Sequence, residues 1–108
     1  MTKFHTFFIG GHKWDAYRVS SRSKHLVLDG KKLVGKCDYG TCRIFISRDL
    51  SPAEFEDTFV HEMLHALLHV TGAAPEFSYQ RNEEFVEKVT PVLHRLLQDF
   101  GFKFPSPS

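Results

Sequence analysis

No stretch of the 108-residue chain approaches the roughly 20 consecutive apolar residues a helix needs to cross a bilayer, so no membrane span is expected. Near the start the only apolar cluster is Phe7-Phe8-Ile9, far short of the hydrophobic segment of a secretory signal, and the sequence reads as a soluble, cytoplasmic protein. Cysteine is scarce: Cys37 and Cys42 form one C-x4-C pair, a weak zinc-knuckle signal without a second pair, and two reduced thiols are expected. Internal repeats and linkers are lacking. The length leaves room for one domain, read as residues 1–104, with residues 105–108 (Pro-Ser-Pro-Ser) as a disordered tail without packing potential.

Net charge is also small, at +1, but it is unevenly distributed. Met1 to Arg48 holds ten Lys and Arg against three Asp, a net +7, whereas Asp49 to Ser108 holds four bases against ten acids, a net −6. A basic half of this kind can serve an acidic partner such as nucleic acid. The plainer reading is that it packs beside the acidic half, since no base-reading motif accompanies the charge. Eleven Phe supply large apolar areas to a small core.

The first half reads as short strands between Gly, Asp and Ser clusters. Phe4 to Ile9 and Trp14 to Val19 flank Gly10-Gly11, and a polar loop follows from Ser20 to Lys24. Leu26-Val27-Leu28 and Lys32-Leu33-Val34 bracket the turn dipeptide Asp29-Gly30. Cys42 to Ser47 is the clearest strand, paired with Gly35 to Tyr39 across Gly40; Arg43 and Ser47 within it point to one less buried face.

At Ser51 the period changes. Ser51 can cap free N–H groups, Pro52 suits the first helical position and Glu54 closes a capping box. This helix is expected to reach about Val70, stopped by Gly72, with Phe55, Phe59, Val60, Met63, Leu64, Leu67 and Val70 on its core face. A second helix is expected from near Ser78 to Gln98 or Phe100, burying Phe85, Val86, Val89, Val92, Leu93, Leu96 and Leu97. Pro91 cannot donate to the Glu87 carbonyl, which predicts a kink or a fresh start capped by Thr90. The fold class is α+β, a small, mainly antiparallel sheet packed on two helices.

His61-Glu62-Met63-Leu64-His65 is an H-E-x-x-H sequence inside a helix inferred without the histidines. Residues four apart project from one helical face, so two imidazoles can reach one ion at about 2 Å each. Glu62 sits about 100° round, able to contact a metal-bound water without taking a coordination position. A catalytic zinc needs a third protein ligand. His69 is roughly 12 Å along the axis from His61, beyond the span of one ion, and reads as a groove-lining residue. Glu83 lies nearer the buried arc of the second helix than Glu84; it is the third-ligand candidate, with Glu84 as the alternative and Glu76 further behind. The plainer reading of either is a solvated helix-start carboxylate. Glu87, one turn after Glu83, can orient a ligand imidazole.

His61-Glu62-Met63-Leu64-His65 followed by a glutamate on the next helix resembles the gluzincin arrangement. Glu83-Glu84-Phe85-Val86-Glu87 is similar to that group's E-x-x-A-D segment, with Val for Ala and Glu for Asp. With the Gly35 to Tyr39 hairpin and an edge-type strand from Arg43 to Ser47, most of the chain resembles small zincin-like proteins common in bacteriophage genomes and related to the ImmA/IrrE metallopeptidases. The resemblance implies a minimal zincin-like fold, Zn2+ held by His61, His65 and Glu83, and Glu62 as general base. It also implies a strand beside the cleft that aligns a peptide by backbone pairing.

The expected activity is therefore that of a zinc metallopeptidase acting on a protein or peptide, with a metal-activated water deprotonated by Glu62. Tyr79, one turn before Glu83, is the candidate oxyanion donor, with Tyr39 and Arg81 behind it; Tyr79 also reads as a packed aromatic. One alternative is a zinc-binding regulatory protein without catalysis, which would have no use for Glu62. Another is a nucleic-acid-associated protein using the basic half, and similarity to SprT-like proteases implies that the two roles can coexist. The last is a metal-free protein with ordinary surface histidines.

Overall fold

The structure, a computed structural model, describes residues 1–72 and 79–105, the side chains of Tyr79 and Gln80 excepted. Its elements in chain order are β1 (Thr2–Ile9), β2 (His12–Val19), a single 3-10 turn (Lys24–Leu26), β3 (Val27–Leu28), β4 (Lys31–Lys32), β5 (Gly35–Asp38), β6 (Arg43–Ser47), α1 (Pro52–Thr71) and α2 (Tyr79–Asp99). Gly10 and Gly11 both take positive φ, 54° and 92°, the combination that lets a two-residue turn follow the twist of β1 and β2. The main sheet has the order β1-β2-β6-β5, with antiparallel outer pairs and a parallel central pair that sets Asp15 to Val19 opposite Arg43 to Ser47. β3 and β4 form a separate two-stranded ribbon. The fold is α+β, consistent with a small zincin-like domain.

Two expectations about β6 need correction. It is interior, not an edge, because β2 returns alongside it in parallel; the sheet edges are β1 and β5. Neither of its faces is open. Ile44 and Ile46 are buried among Trp14, Ala16, Phe55 and Phe59, while Phe45 on the other face packs with Leu26 and stacks on the His25 ring at 4.3 Å. The residue 20–34 segment thus covers part of the sheet face opposite the helices.

α1 begins as its sequence dictates. The Ser51 hydroxyl accepts from the Glu54 N–H at 3.3 Å, and the Glu54 carboxylate accepts from the Ser51 N–H at 3.1 Å. Gly72, at φ 64°, closes the helix. Phe55 and Phe59 then meet Phe4 edge-on, at 5.2 and 5.7 Å between ring centroids, with Phe7 6.1 Å from Phe59.

α2 runs unbroken through Pro91, and Thr90 caps no fresh start: its buried hydroxyl donates to the Val86 carbonyl at 2.7 Å. Pro91 and Glu87 both face solvent, so the carbonyl that Pro91 leaves without an N–H partner is on the side where water can reach it. The buried stripe of α2 is also narrower than expected. Val86, Val89, Leu93 and Leu97 pack with Val60, Leu64 and Leu68 of α1, whereas Phe85, Val92 and Leu96 are exposed, as is Leu67. A helix packed chiefly on one neighbour buries one stripe of residues and leaves the flanks of its apolar arc open. No helix among the described residues is long and apolar enough to cross a membrane.

Phe59→Ala removes a fully buried ring from the centre of the aromatic cluster. The expected loss is about 3–4 kcal/mol of unfolding free energy, read as a lower urea midpoint at an unchanged m-value.

Candidate metal centre

The phase of the α1 core stripe decides where its histidines point. With Phe55, Phe59 and Ala66 held against the sheet, His61 and His65 face a cleft of about 680 Å³ bordered by β5, α1, Glu83 and the Leu28 and Leu33 side chains. From α2, Glu83 reaches across to both: Oε1 lies 2.9 Å from His61 Nε2, and Oε2 lies 2.8 Å from His65 Nε2. One ligand atom from each residue falls within 4.8 Å of the others. Donors bonded to one ion at about 2 Å in tetrahedral geometry stand about 3.3 Å apart, so the cluster has the right span.

Its chemistry fits as well. Burial lowers the pKa of His65 against the opposing pull of the Glu83 charge, which favours the neutral imidazole that ligation requires. The cluster can hold a metal ion.

Glu62, one residue after His61, lies outside the donor cluster yet borders the same cleft and is 7% exposed. Burial pushes its carboxyl up to about 8; the Cys37 contact opposes this and the Glu83 charge adds to it. The Cys37 thiol donates to the Glu62 carbonyl oxygen at 3.0 Å, and burial raises its own pKa well above the ordinary thiol range, so it stays neutral. Neither cysteine is in a disulfide.

Of the other candidates, Glu84 is exposed and outside the cluster. His69 is exposed too, and its ring stacks on Tyr39 at 4.4 Å; Tyr39 borders the cleft. Glu87 does not orient a ligand imidazole, because its position on α2 turns it to solvent; Asn82, one residue before Glu83, is the α2 side chain that acts on His65 besides Glu83. Tyr79 is the first residue of α2, with its side chain outside the described residues, and Glu76 lies outside them altogether. Arg81 is exposed.

Sequence reasoning missed Gly35. A Cβ there would fall 2.5 Å from Thr58 Cγ2 and 3.1 Å from Glu62 Oε2, so the missing side chain is what lets β5 lie against the helix beside the Glu62 carboxyl. The signal available was a glycine opening a strand, which marks close approach without saying to what.

The family model for the IrrE N-terminal-like peptidase domain matches residues 15–89, well over half of the chain. The chain belongs to this ImmA/IrrE-type, zincin-like metallopeptidase family. The IrrE-like region begins in β2 and ends inside α2, so it contains His61, Glu62, His65 and Glu83, with all of β1 outside it. No curated protein and no solved structure gives a significant match to the chain.

Gly35→Ala should cost about 1–3 kcal/mol of stability through overpacking. Adding Thr58→Ser, which removes the Cγ2 atom in the way, should recover part of it. Urea unfolding of the two single variants and the double reads the coupling; purely additive effects would refute the contact.

Glu62 also makes a pH prediction. Because its pKa is raised from the ordinary 4.5 to about 8 in the folded chain, the fold holds a proton there that the unfolded chain releases. Stability therefore falls as pH rises from about 4.5 to about 8, and the burial cost is fully present above that window. In chelator-treated protein, Glu62→Gln should raise Tm clearly at pH 8.5 and far less at pH 5. An equal shift at both pH values would contradict the burial argument.

Proposed function

We propose that the protein is a zinc-dependent metallopeptidase in which His61, His65 and Glu83 are the metal ligands and Glu62 is the general base. The observation that carries this reading is the position of Glu62, a buried carboxyl on the wall of the cleft beside the donor cluster but not part of it. A site that only held a metal would gain nothing from burying an extra acid there. Two neutral imidazoles and a carboxylate are a donor set that suits zinc.

Zinc held by these ligands would supply Lewis acidity, polarising a carbonyl and lowering the pKa of a coordinated water towards about 7. The Glu62 carboxylate accepts the proton of the attacking water and returns it to the departing amine. Along the cleft, Gly35, Lys36, Cys37 and Asp38 of β5 present the strand edge not paired with β6. An extended peptide can add to that edge, which places its backbone beside Glu62. Tyr79 is retained as the proposed oxyanion donor on its position one turn before Glu83. The substrate class is a protein or peptide, and a cytoplasmic location is part of the same proposal.

Elemental analysis should find one zinc per chain in the wild type and the Glu84→Ala variant, and none in Glu83→Ala. Glu62→Gln should keep its zinc and lose hydrolysis of an unstructured protein such as casein by at least about a hundredfold. Zinc retained equally by both alanine variants would remove Glu83 as a ligand. Zinc without hydrolysis in the wild type would favour a regulatory binding protein.

A further inference from the structure

The uneven charge of the sequence becomes spatial in the fold. All six strands lie before Arg48 and both helices after it, so the ten bases of the first half belong to the sheet layer. If the halves neutralised each other, ion pairs would join them. Among the described residues none does: Lys3 pairs with Asp15 at 3.8 Å within the sheet, and the other pairs, made by His61, His65, His94 and Arg95, all stay within the helices. Among the described residues, Lys3 is the single base of the ten with a carboxylate partner. The basic half does pack beside the acidic one, sheet against helices, but its cations are not neutralised by ion pairs across that boundary among the described residues.

Strand register shows where these cations stand. Lys3, Tyr17, Phe45 and Lys36 form one row across β1-β2-β6-β5, and Thr6, Asp15, Arg43 and Asp38 form the next. Lys13 and Phe8 are paired one step beyond. This face is turned away from the helices: Tyr17 stacks on Phe45 at 5.8 Å, and Arg43 lies 5.6 Å over the Tyr17 ring. The residue 20–34 segment packs on the same face through His25 and Leu26, and brings exposed Arg22, Lys24, Lys31 and Lys32 with it. The acids nearby are fewer than the cations. Asp15 accepts from Thr6 and shares its charge among Lys3, Lys13 and Arg43, Asp38 accepts from the Gly40 and Thr41 N–H groups, and Asp29 is a single exposed charge.

We propose that this sheet face binds single-stranded nucleic acid. Its cations are mostly lysines, which are depleted from protein–protein interfaces but suit phosphates. They alternate with the exposed ring of Phe8 and the half-buried ring of Tyr17, and cations interleaved with ring faces are what a single strand needs for its backbone and unstacked bases. The surface contains none of the metal-binding side chains and meets their cleft only at its β5 border, where Lys36 and Asp38 stand, so its test does not depend on peptidase activity.

Fluorescence anisotropy with a labelled 20-nucleotide single strand should give binding at 50 mM salt. With about four phosphates neutralised, affinity should fall about fiftyfold on going to 200 mM. Lys13→Glu/Lys32→Glu changes two exposed residues of the sheet layer and should weaken binding at least tenfold. Lys88→Glu/Lys103→Glu makes the same charge change in the helical layer and should alter binding less than threefold. Unchanged circular dichroism and Tm in both variants keep the comparison interpretable. No binding at 50 mM, or equal losses in the two variants, would overturn the proposal. Competition by polyglutamate as strong as that by the oligonucleotide would overturn it too, in favour of an acidic protein partner.

Discussion

The contact between β5 and α1 at Gly35 sets the distance on which the cleft depends. With no side chain on Gly35, the strand approaches until the Thr58 methyl and the Glu62 carboxyl occupy the space a Cβ would take. A wider separation would let water reach Glu62 and relieve the burial that raises its pKa. It would also break the hydrogen bond from the Cys37 thiol to the Glu62 carbonyl oxygen, which ties strand to helix one residue from His61. The same contact places the free edge of β5 along the cleft, so the element that confines the acid also borders the space a substrate would enter.

Two further constraints act on α1. Its aromatic stripe is locked by Phe4 and Phe7 from β1, and its other flank packs with Val86 and Leu93 of α2. Rotation of the helix would cost aromatic contacts on one side and aliphatic ones on the other, which pre-organises the two imidazoles. α2 contributes Glu83 from a helix attached mainly through one stripe, and its exposed Phe85, Val92 and Leu96 show how narrow that attachment is. Family membership and geometry agree on a metallopeptidase-type arrangement, while Lys3, Lys13 and Arg43 stand on the opposite face of the sheet.

Local signals make much of this legible in the residues alone. The Ser51 to Glu54 capping box, the glycine pair at Gly10-Gly11 and the spacing of His61 and His65 act over a few residues, so sequence proximity is spatial proximity. Expectation and fold part where a partner is distant in sequence. Periodicity locates the apolar arc of α2 but not its buried width, because the width depends on how many neighbours the helix has. Arg43 to Ser47 reads as half-open because nothing local shows that residues 20–34 fold back over Phe45. Pro91 reads as disruptive because its effect depends on whether the freed carbonyl meets water, and here both Pro91 and Glu87 do.

By itself the sequence determined the chemistry available: two histidines on one helical face with an acid between them, the caps that bound that helix, and a basic half followed by an acidic one. Those follow from residue identity and short-range geometry. Tertiary structure alone decided that Glu83, already favoured over Glu84 by its place on the helix, reaches both imidazoles, that β5 is the edge beside the cleft, that Gly35 confines Glu62, and that no ion pair among the described residues joins the two charged halves. Each of these depends on how far apart separately coded elements come to rest, which is set by the packing of the whole core.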